Sequence, residues 1–370
     1  MDFRWTLNSP GRGIPFDWYS MRWTGAITAP AEGVRHIGIE ANDGYRLYLD
    51  GKLVIDDWIK RSYGMRAAEI SLAPGSRHDI KIEYFESAGN ARLRLLWDAG
   101  VKDDSSAKIA SAVAMAKESD ATIVVAGLEE GEFRDRARLS LPGRQEELIQ
   151  AIAKTGKPTV VVLIGGSAIT MSPWLDQVGA VLDAWYPGEA GGPAVADVLF
   201  GDANPAGRLP ITFPVFEGQL PLYYDHKPTG RGDDYVDLTG MPLFPFGFGL
   251  SYTTFEYSAL TIDPAQMGAS DTAHVRCTVQ NTGTRSGDEV VQLYIRDVLA
   301  SVARPVIELK GFHRLHLAPG ERATVDFTLG PAELSMLDRD MKWLVESGTF
   351  RVLVGSSSKD IRLRGEFTVR

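Results

Sequence analysis

The sequence predicts a multi-domain protein: an all-β sandwich, then an α/β sandwich with a mostly parallel sheet, then a second β-sandwich. Three observations carry this. Apolar residues alternate at period two near both ends of the chain, continuous apolar runs alternate with helical patterns in the middle, and a segment rich in Pro, Gly and aromatics separates the last two regions. At 370 residues the chain has room for two or three domains.

In the first hundred residues the alternation runs through Ile37 and Ile39, Leu47 and Leu49, Ile80, Ile82 and Tyr84, and Leu93, Leu95 and Trp97. That period means half-buried strands. Asp50-Gly51 between Leu49 and Leu53 is a two-residue hairpin signal, and Pro74-Gly75 marks another turn.

After Val101 the period changes. Asp103, Asp104 and Ser105 offer N-caps to a helix carrying Ile109, Ala110, Val113 and Ala114. A continuous apolar run, Ala121 to Ala126, follows; Glu146 to Lys154 is again helical, and Thr159 to Ile164 and Ala180 to Ala184 are further runs. Strands buried on both faces and separated by helices belong to a largely parallel sheet.

From Pro205 to Tyr257 the composition suits an ordered, extended connection and is too aromatic for a solvated linker. Alternation then returns in Val275, Cys277 and Val279, in Val291, Leu293 and Ile295, in Val325, Phe327 and Leu329, and in Phe350, Val352 and Val354. Turns at Asn281-Thr-Gly283 and Pro319-Gly320 separate these strands, which predict a second sandwich.

Composition narrows the function. With 39 basic against 48 acidic residues, a net charge of −9, the chain has no general basic field for a phosphate backbone, so nucleic acid is not expected as a partner. The longest apolar runs fall well short of the roughly 18 to 20 residues that span a bilayer, and the first thirty show no signal-peptide core. The chain therefore reads as soluble and not as a membrane protein; its compartment is left open. The single cysteine, Cys277, rules out an internal disulfide or a multi-thiolate metal site and reads as a buried small apolar residue.

The best candidate for chemistry is Glu129-Glu-Gly-Glu132-Phe-Arg-Asp135-Arg136, which follows the first buried strand of the middle region. Parallel sheets place ligands outside the carboxyl ends of their strands. Crowded carboxylates raise a carboxyl's pKa and an arginine lowers it, which is how a general acid is tuned. The same loop also reads as a solvated turn whose charges pair with one another, and spacing alone does not choose.

A second loop, Tyr186-Pro-Gly-Glu189-Ala-Gly-Gly192, opens a helix from Pro193 to Leu199, where an anion can bind. It lacks the ending of a P-loop and reads first as a structural turn. There is no G-x-S-x-G, and the six histidines are scattered, so neither a serine hydrolase nor a zinc site is indicated. No cofactor or metal is implied. Trp18, Trp23 and Trp58 can stack on sugars, with core packing as the default. Asn42-Asp43-Gly44 is a plain turn before it is part of a calcium site.

At this point a family resemblance enters. Glu132-Phe-Arg-Asp-Arg136, Leu139-Ser-Leu-Pro-Gly-Arg-Gln145, Trp185-Tyr-Pro-Gly-Glu189, Gly201-Asp-Ala-Asn-Pro-Ala-Gly-Arg-Leu-Pro210 and Pro245-Phe-Gly-Phe-Gly-Leu-Ser-Tyr252 resemble, in that order, the carboxyl-terminal part of glycoside hydrolase family 3, the β-glucosidases and related exo-acting enzymes. Gly287-Asp-Glu-Val-Val-Gln-Leu-Tyr294, Arg304-Pro305 and Leu309-Lys-Gly-Phe312 are similar to the fibronectin type III domain that closes many of them. Trp5, Arg22-Trp-Thr-Gly25, Asp43-Gly44 and Leu49-Asp-Gly51 resemble the protective-antigen-type sandwich inserted in some members. The implied domains are 1–100, lectin-like and amino-terminally incomplete; 101–257, α/β; and 258–370, fibronectin type III-like.

The resemblance implies a retaining mechanism, with an aspartate nucleophile on an amino-terminal (β/α)8 barrel and a glutamate acid/base on the α/β domain. Matching that family run puts the acid/base at Glu132, with Glu130 as second choice because it is the glutamate followed by glycine, and with Asp135 and Arg136 in support. Trp58 becomes a stacking residue for substrate. The implied partners are β-linked gluco-oligosaccharides or aryl glucosides and the barrel, in the same or another chain; a homodimer is also implied. No barrel precedes the first sandwich here, so the chain reads as the back half of a longer enzyme, not expected to turn over glycosides alone. The alternative reading is a non-catalytic carbohydrate-binding or assembly unit.

Overall fold

A computed structural model describes residues 1–98, 104–131, 135–229 and 234–370. Two compact units divide the chain: Met1–Thr122, Leu128–Ala137 and Glu147–Thr159 form one, and Ile123–Gly127, Arg138–Glu146 and Val160–Arg370 the other.

The early alternation becomes β1 (Asp2–Thr6), β2 (Tyr19–Thr28), β3 (Val34–Ala41), β4 (Gly44–Leu49), β5 (Lys52–Asp57), β6 (Gly64–Leu72), β7 (Arg77–Glu86) and β8 (Ala91–Trp97). They make two antiparallel sheets, ordered β1-β8-β3-β6 and β2-β7-β4-β5. Ile37, Ile39, Leu47, Ile82, Tyr84 and Leu93 form the core between them. The alternation runs out at Trp97, which is 40% exposed at the end of β8. Asp50 and Gly51, at φ 48° and 79°, close the β4–β5 hairpin with the left-handed pair that suits strand twist. Asp50 does more than turn the chain: its carboxylate accepts the Asp79 N–H at 2.8 Å and meets His78 Nδ1 at 2.6 Å. Trp23 is a core-packing residue, its ring stacked on Phe3 at 5.5 Å and tilted against Tyr84.

This sandwich buries an acid. Glu86 is almost fully enclosed, accepts the Tyr84 hydroxyl at 2.6 Å through Oε2, and has no partner for Oε1. Burial first, opposed by the Tyr84 hydrogen bond and reinforced by the charges of Asp43 and Asp17, pushes its carboxyl up to about 7. The Asn42-Asp43-Gly44 turn lies in the same cluster: Asp43, at φ 51°, accepts both the N–H and the hydroxyl of Ser87 through Oδ2.

The middle region supplies α1 (Ser105–Glu118), β9 (Thr122–Gly127), α2 (Gln145–Ala153), β10 (Thr159–Ile164), β11 (Ala180–Asp183) and α3 (Gly191–Phe200), within two residues of the predicted bounds. The sheet order is β11-β10-β9, with β10 and β11 parallel. Two expectations fail in detail. Asp104 sits at the N-cap of α1 without a capping hydrogen bond, because its carboxylate is drawn to Lys108 Nζ at 2.8 Å; Asp103 lies outside the described residues. Burial on both faces holds for the central β10, whereas β9 leaves Ile123 and Val125 48% and 66% exposed, since it is an edge strand with one face uncovered.

The connection from 205 to 254 contains, among the described residues, neither strand nor α-helix; an isolated bridge joins Phe213 to Phe244. Side chains order it. Buried Gln219 accepts the Val215 N–H at 2.7 Å and donates to the carbonyls of Thr239 and Met241 at 2.8 and 3.0 Å.

The final region forms β12 (Phe255–Asp263), β13 (Gln266–Met267), β14 (Ala273–Asn281), β15 (Gly287–Asp297), β16 (Glu308–Leu317), β17 (Arg322–Leu329), α4 (Pro331–Leu334), β18 (Met336–Leu337), β19 (Trp343–Leu344), β20 (Gly348–Gly355) and β21 (Ile361–Val369). Sheets β12-β14-β17 and β13-β21-β20-β15-β16 enclose all the alternating residues named above. Cys277 is among them, its thiol pushed up to about 11 by burial. The connection packs on β15 through Gln292 and Tyr294 on its other face and through Glu289 in the same row as Val291. Gln292 Nε2 donates to the carbonyls of Gly247 and Ser356, Tyr224 stacks on Phe246 at 4.2 Å, and Arg208 Nη2 donates to Glu289 Oε1 at 3.1 Å with both side chains nearly buried.

Removing one member of a buried ion pair strands the other, at about 3–5 kcal/mol. Glu289→Ala is therefore expected to lower the unfolding free energy of the second unit, read by urea denaturation, by that much, whereas Asp56→Ala, whose partner Arg46 is solvent-accessible, should change that of the first unit little. For Glu86, raised in the folded state, stability is full below its unfolded range and falls as pH rises through about 7. The thermal midpoint of the first sandwich should drop from pH 5 to pH 8, and Glu86→Gln should flatten that slope.

Candidate active-site loops at the strand ends

Strand β9 must end at a glycine: a Cβ on Gly127 would lie 2.0 Å from the Ile164 carbonyl oxygen on β10. The backbone there is finished by a side chain. Gln145, the first residue of α2, accepts the Gly127 N–H through Oε1 at 2.7 Å and donates through Nε2 to the Gly127 carbonyl at 2.9 Å and the Pro142 carbonyl at 3.1 Å. The preceding Leu-Pro-Gly turn, with Gly143 at φ 66°, carries the chain into that helix. Upstream, the Leu139 N–H donates to Glu217 Oε1 at 2.6 Å. Glu146, next to Gln145, is pushed up by burial first, opposed by the Leu141 N–H and reinforced by the charge of Glu217.

The loop that leaves Gly127 holds the predicted acid/base. Glu132 lies outside the described residues, as do Phe133 and Arg134. Glu130 Oε1 faces Arg136 Nη2 at 3.6 Å, both side chains one-fifth exposed, and Asp135 is exposed. An ion pair uses a charged carboxylate, whereas a general acid must carry a proton. Glu130 and Arg136 lie within ion-pair reach of each other in the loop.

The end of β11 is organised similarly. Trp185, at φ 50°, gives its carbonyl to the Gly165 N–H at 3.1 Å and its N–H to Asp183 Oδ1 at 3.3 Å. Tyr186 lies against Gly166, where any Cβ would meet its ring at 2.4 Å. The helix after this loop begins at Gly191, two residues before the predicted start, because Gly188 at φ 71° makes the turn early. Asp183 is the carboxyl that sequence reasoning passed over: burial pushes it up to about 6 against the pull of the Trp185 N–H. An acidic residue closing the apolar run Ala180 to Ala184 was the available signal. Gln145 was also passed over.

Of the tryptophans, Trp18 is 77% exposed, and Trp58 is 37% exposed with the Arg46 guanidinium 4.7 Å from its ring centroid and Phe85 edge-on at 4.9 Å. One ring face of Trp58 is therefore already occupied by a cation. Among the described residues no group of His, Cys, Asp and Glu is arranged to hold a metal ion, and no helix is long and apolar enough to cross a membrane.

An α/β core with a β-sandwich before it and another after it is a multidomain arrangement with known relatives. Residues 8–252 match the glycosyl hydrolase family 3 C-terminal domain, and residues 289–358 the fibronectin type III-like domain. The chain is 48% identical over 256 residues to a β-xylosidase of Formosa agariphila, covering 67% of this chain and 35% of that protein. It is 41% identical over 288 residues to the periplasmic β-glucosidase of Salmonella typhimurium, covering 74% and 38%. The structure of β-glucosidase from Kluyveromyces marxianus in complex with glucose superposes with a TM-score of 0.71 at 30% identity, over 99% of this chain and 47% of that one. The chain belongs to glycoside hydrolase family 3, of which it is a carboxyl-terminal portion. It spans less than half the length of these relatives.

If Gln145 finishes β9, Gln145→Ala leaves the Gly127 N–H and carbonyl without partners, at about 1–3 kcal/mol. Chemical denaturation should show that loss, with accelerated hydrogen exchange at the Gly127 amide.

Proposed function

We propose that this chain is the carboxyl-terminal portion of a retaining, exo-acting β-glucosidase that removes terminal non-reducing β-D-glucosyl residues, and that it supplies the general acid/base. The observation that carries the reading is the family match across 8–252, which contains the motif run from Glu132 to Tyr252 in order. Similarity to β-glucosidases over 74% and 99% of the chain supports it. The proposed division remains 1–100, 101–257 and 258–370, with the first sandwich a lectin-like module walling the leaving-group side.

In the proposed reaction an aspartate from the barrel attacks the anomeric carbon while Glu132 gives its proton to the departing oxygen. The resulting carboxylate then takes a proton from the water that releases the sugar. The two carboxyl groups would stand about 5–5.5 Å apart. Asp135 and the Glu130–Arg136 pair orient the loop, and Trp58 offers its uncovered ring face to the aglycone sugar. The proposed partners are β-linked gluco-oligosaccharides or aryl glucosides, the barrel in the same or another chain, and a second copy in a homodimer.

The test uses protein that carries both this chain and the barrel. Glu132→Gln should cut hydrolysis of an unactivated glucose disaccharide by about 10²–10⁴-fold, the span of general acid–base catalysis, and that of an activated aryl glucoside far less. Equal, small losses on both would remove Glu132 from the role. The similarity to a β-xylosidase makes the matched aryl xyloside the necessary comparison; a higher kcat/KM for it would overturn the glucosyl assignment.

A further inference from the structure

The outer face of the second sandwich bears an electrostatic arrangement that the proposed reaction does not use. Arg296 on β15 and Arg351 on β20 are direct cross-strand partners, and Arg351 in turn opposes Glu366 on β21. Ile295, Val352 and Phe367 alternate with these and fill the core, so the charged residues project to the other side. Arg364 stands two residues from Glu366 on that same face. Like charges directly opposite each other destabilise a strand pair. Yet among the described residues neither Arg296 nor Arg351 makes an ion pair or hydrogen bond, and Arg364 donates only to the Ile361 carbonyl. Glu308, on the adjoining β16, is taken up by Arg304 and Lys310 at 2.5 and 3.4 Å. Three guanidinium groups against one carboxylate leave an excess of two positive charges, in a protein whose net charge is −9.

These arginines rim a recess of about 470 Å³ floored by Ile307 and Leu353. That volume falls in the roughly 300–1,000 Å³ range of small-molecule sites. The same sheet face is covered one pair further along β15, where Tyr224 packs edge-on against Tyr294 and Gln292 holds Gly247. Among the described residues the connection reaches the edge of the recess at His226, whose carbonyl accepts the Val306 N–H at 2.9 Å. Arginine forks fit a planar carboxylate with paired hydrogen bonds, and an aliphatic floor fits the C–H face of a sugar ring.

We propose that this recess binds an acidic sugar, the carboxylate of a uronic acid held between Arg296 and Arg351 with Arg364 at the rim. Such a site would let an exo-acting glycosidase engage acidic glycans through its last domain, away from the strand-end loops. That role rests on the proposed function; the binding does not, since the 370-residue chain is tested without any turnover assay.

Saturation-transfer NMR and calorimetry on this chain, with sodium D-glucuronate, D-glucose and sodium sulfate as probes, decide it. Glucuronate is expected to bind and glucose not. Arg351→Gln and Arg296→Gln should each lose about tenfold in affinity, the size of one charge-assisted hydrogen bond. Binding should weaken as sodium chloride rises. Both are surface substitutions expected to leave the thermal midpoint nearly unchanged, which checks the fold. Equal signals from glucose and glucuronate, or equal affinities in the parent and both variants, overturn the proposal. So does binding of sulfate without glucuronate, which would reduce the recess to a simple anion site.

Discussion

The buried pair Arg208–Glu289 is the constraint on which the second unit depends. The connection that carries Arg208 contains no strand among the described residues, so beyond its few backbone pairs its course is set where a guanidinium finds its carboxylate on β15. Around that point the backbone is too close for side chains: a Cβ on Gly249 would lie 2.2 Å from the Gly207 carbonyl, and one on Gly247 2.1 Å from Gln292 Oε1. The two glycines of Pro245-Phe-Gly-Phe-Gly249 are thus required by packing, and this motif reads as structural rather than catalytic. A charge pair in a dry interface is weak as a source of stability but strict about geometry. It fixes the register of an irregular segment, where hydrophobic contacts alone would tolerate sliding.

The same logic, with a neutral side chain, operates at the strand ends. Gln145 supplies β9 with the donor and acceptor that a longer strand would have provided, and Trp185 closes a rung with Gly165 at the end of β11. Two strands of one sheet therefore end at defined peptides before their loops begin. A loop holds its side chains in one place only if its root does not move.

What was legible in the sequence divides by the range of the interaction. Hairpins, alternating cores and helix bounds were readable because turn chemistry and period are local: Asp50-Gly51 adopts the pair of positive φ angles its type demands, and Val275, Cys277 and Val279 are all buried. Gln145 was not. An amide beside a Leu-Pro-Gly turn looks like a solvated helix start until a peptide 18 residues earlier arrives next to it. The exposed face of β9 was invisible for a related reason, since an apolar run is the same in a central strand and in an edge strand. Trp58 was legible as an accessible aromatic but not as a ring already capped by Arg46, because that pairing is set by the β4–β5 hairpin bringing the two residues together.

Glu130 and Glu132 differ by two positions; the family run offered Glu132 as the acid, and the glycine after Glu130 kept that residue as second choice. Glu132 lies outside the described residues, so the structure bears on Glu130 alone. Glu130 Oε1 lies 3.6 Å from Arg136 Nη2, and a neighbouring arginine favours the charged form of a carboxyl. A general acid works best with its proton held lightly near the working pH, and the environments that achieve this are burial and neighbouring negative charge, as at Asp183 and Glu86, rather than an arginine.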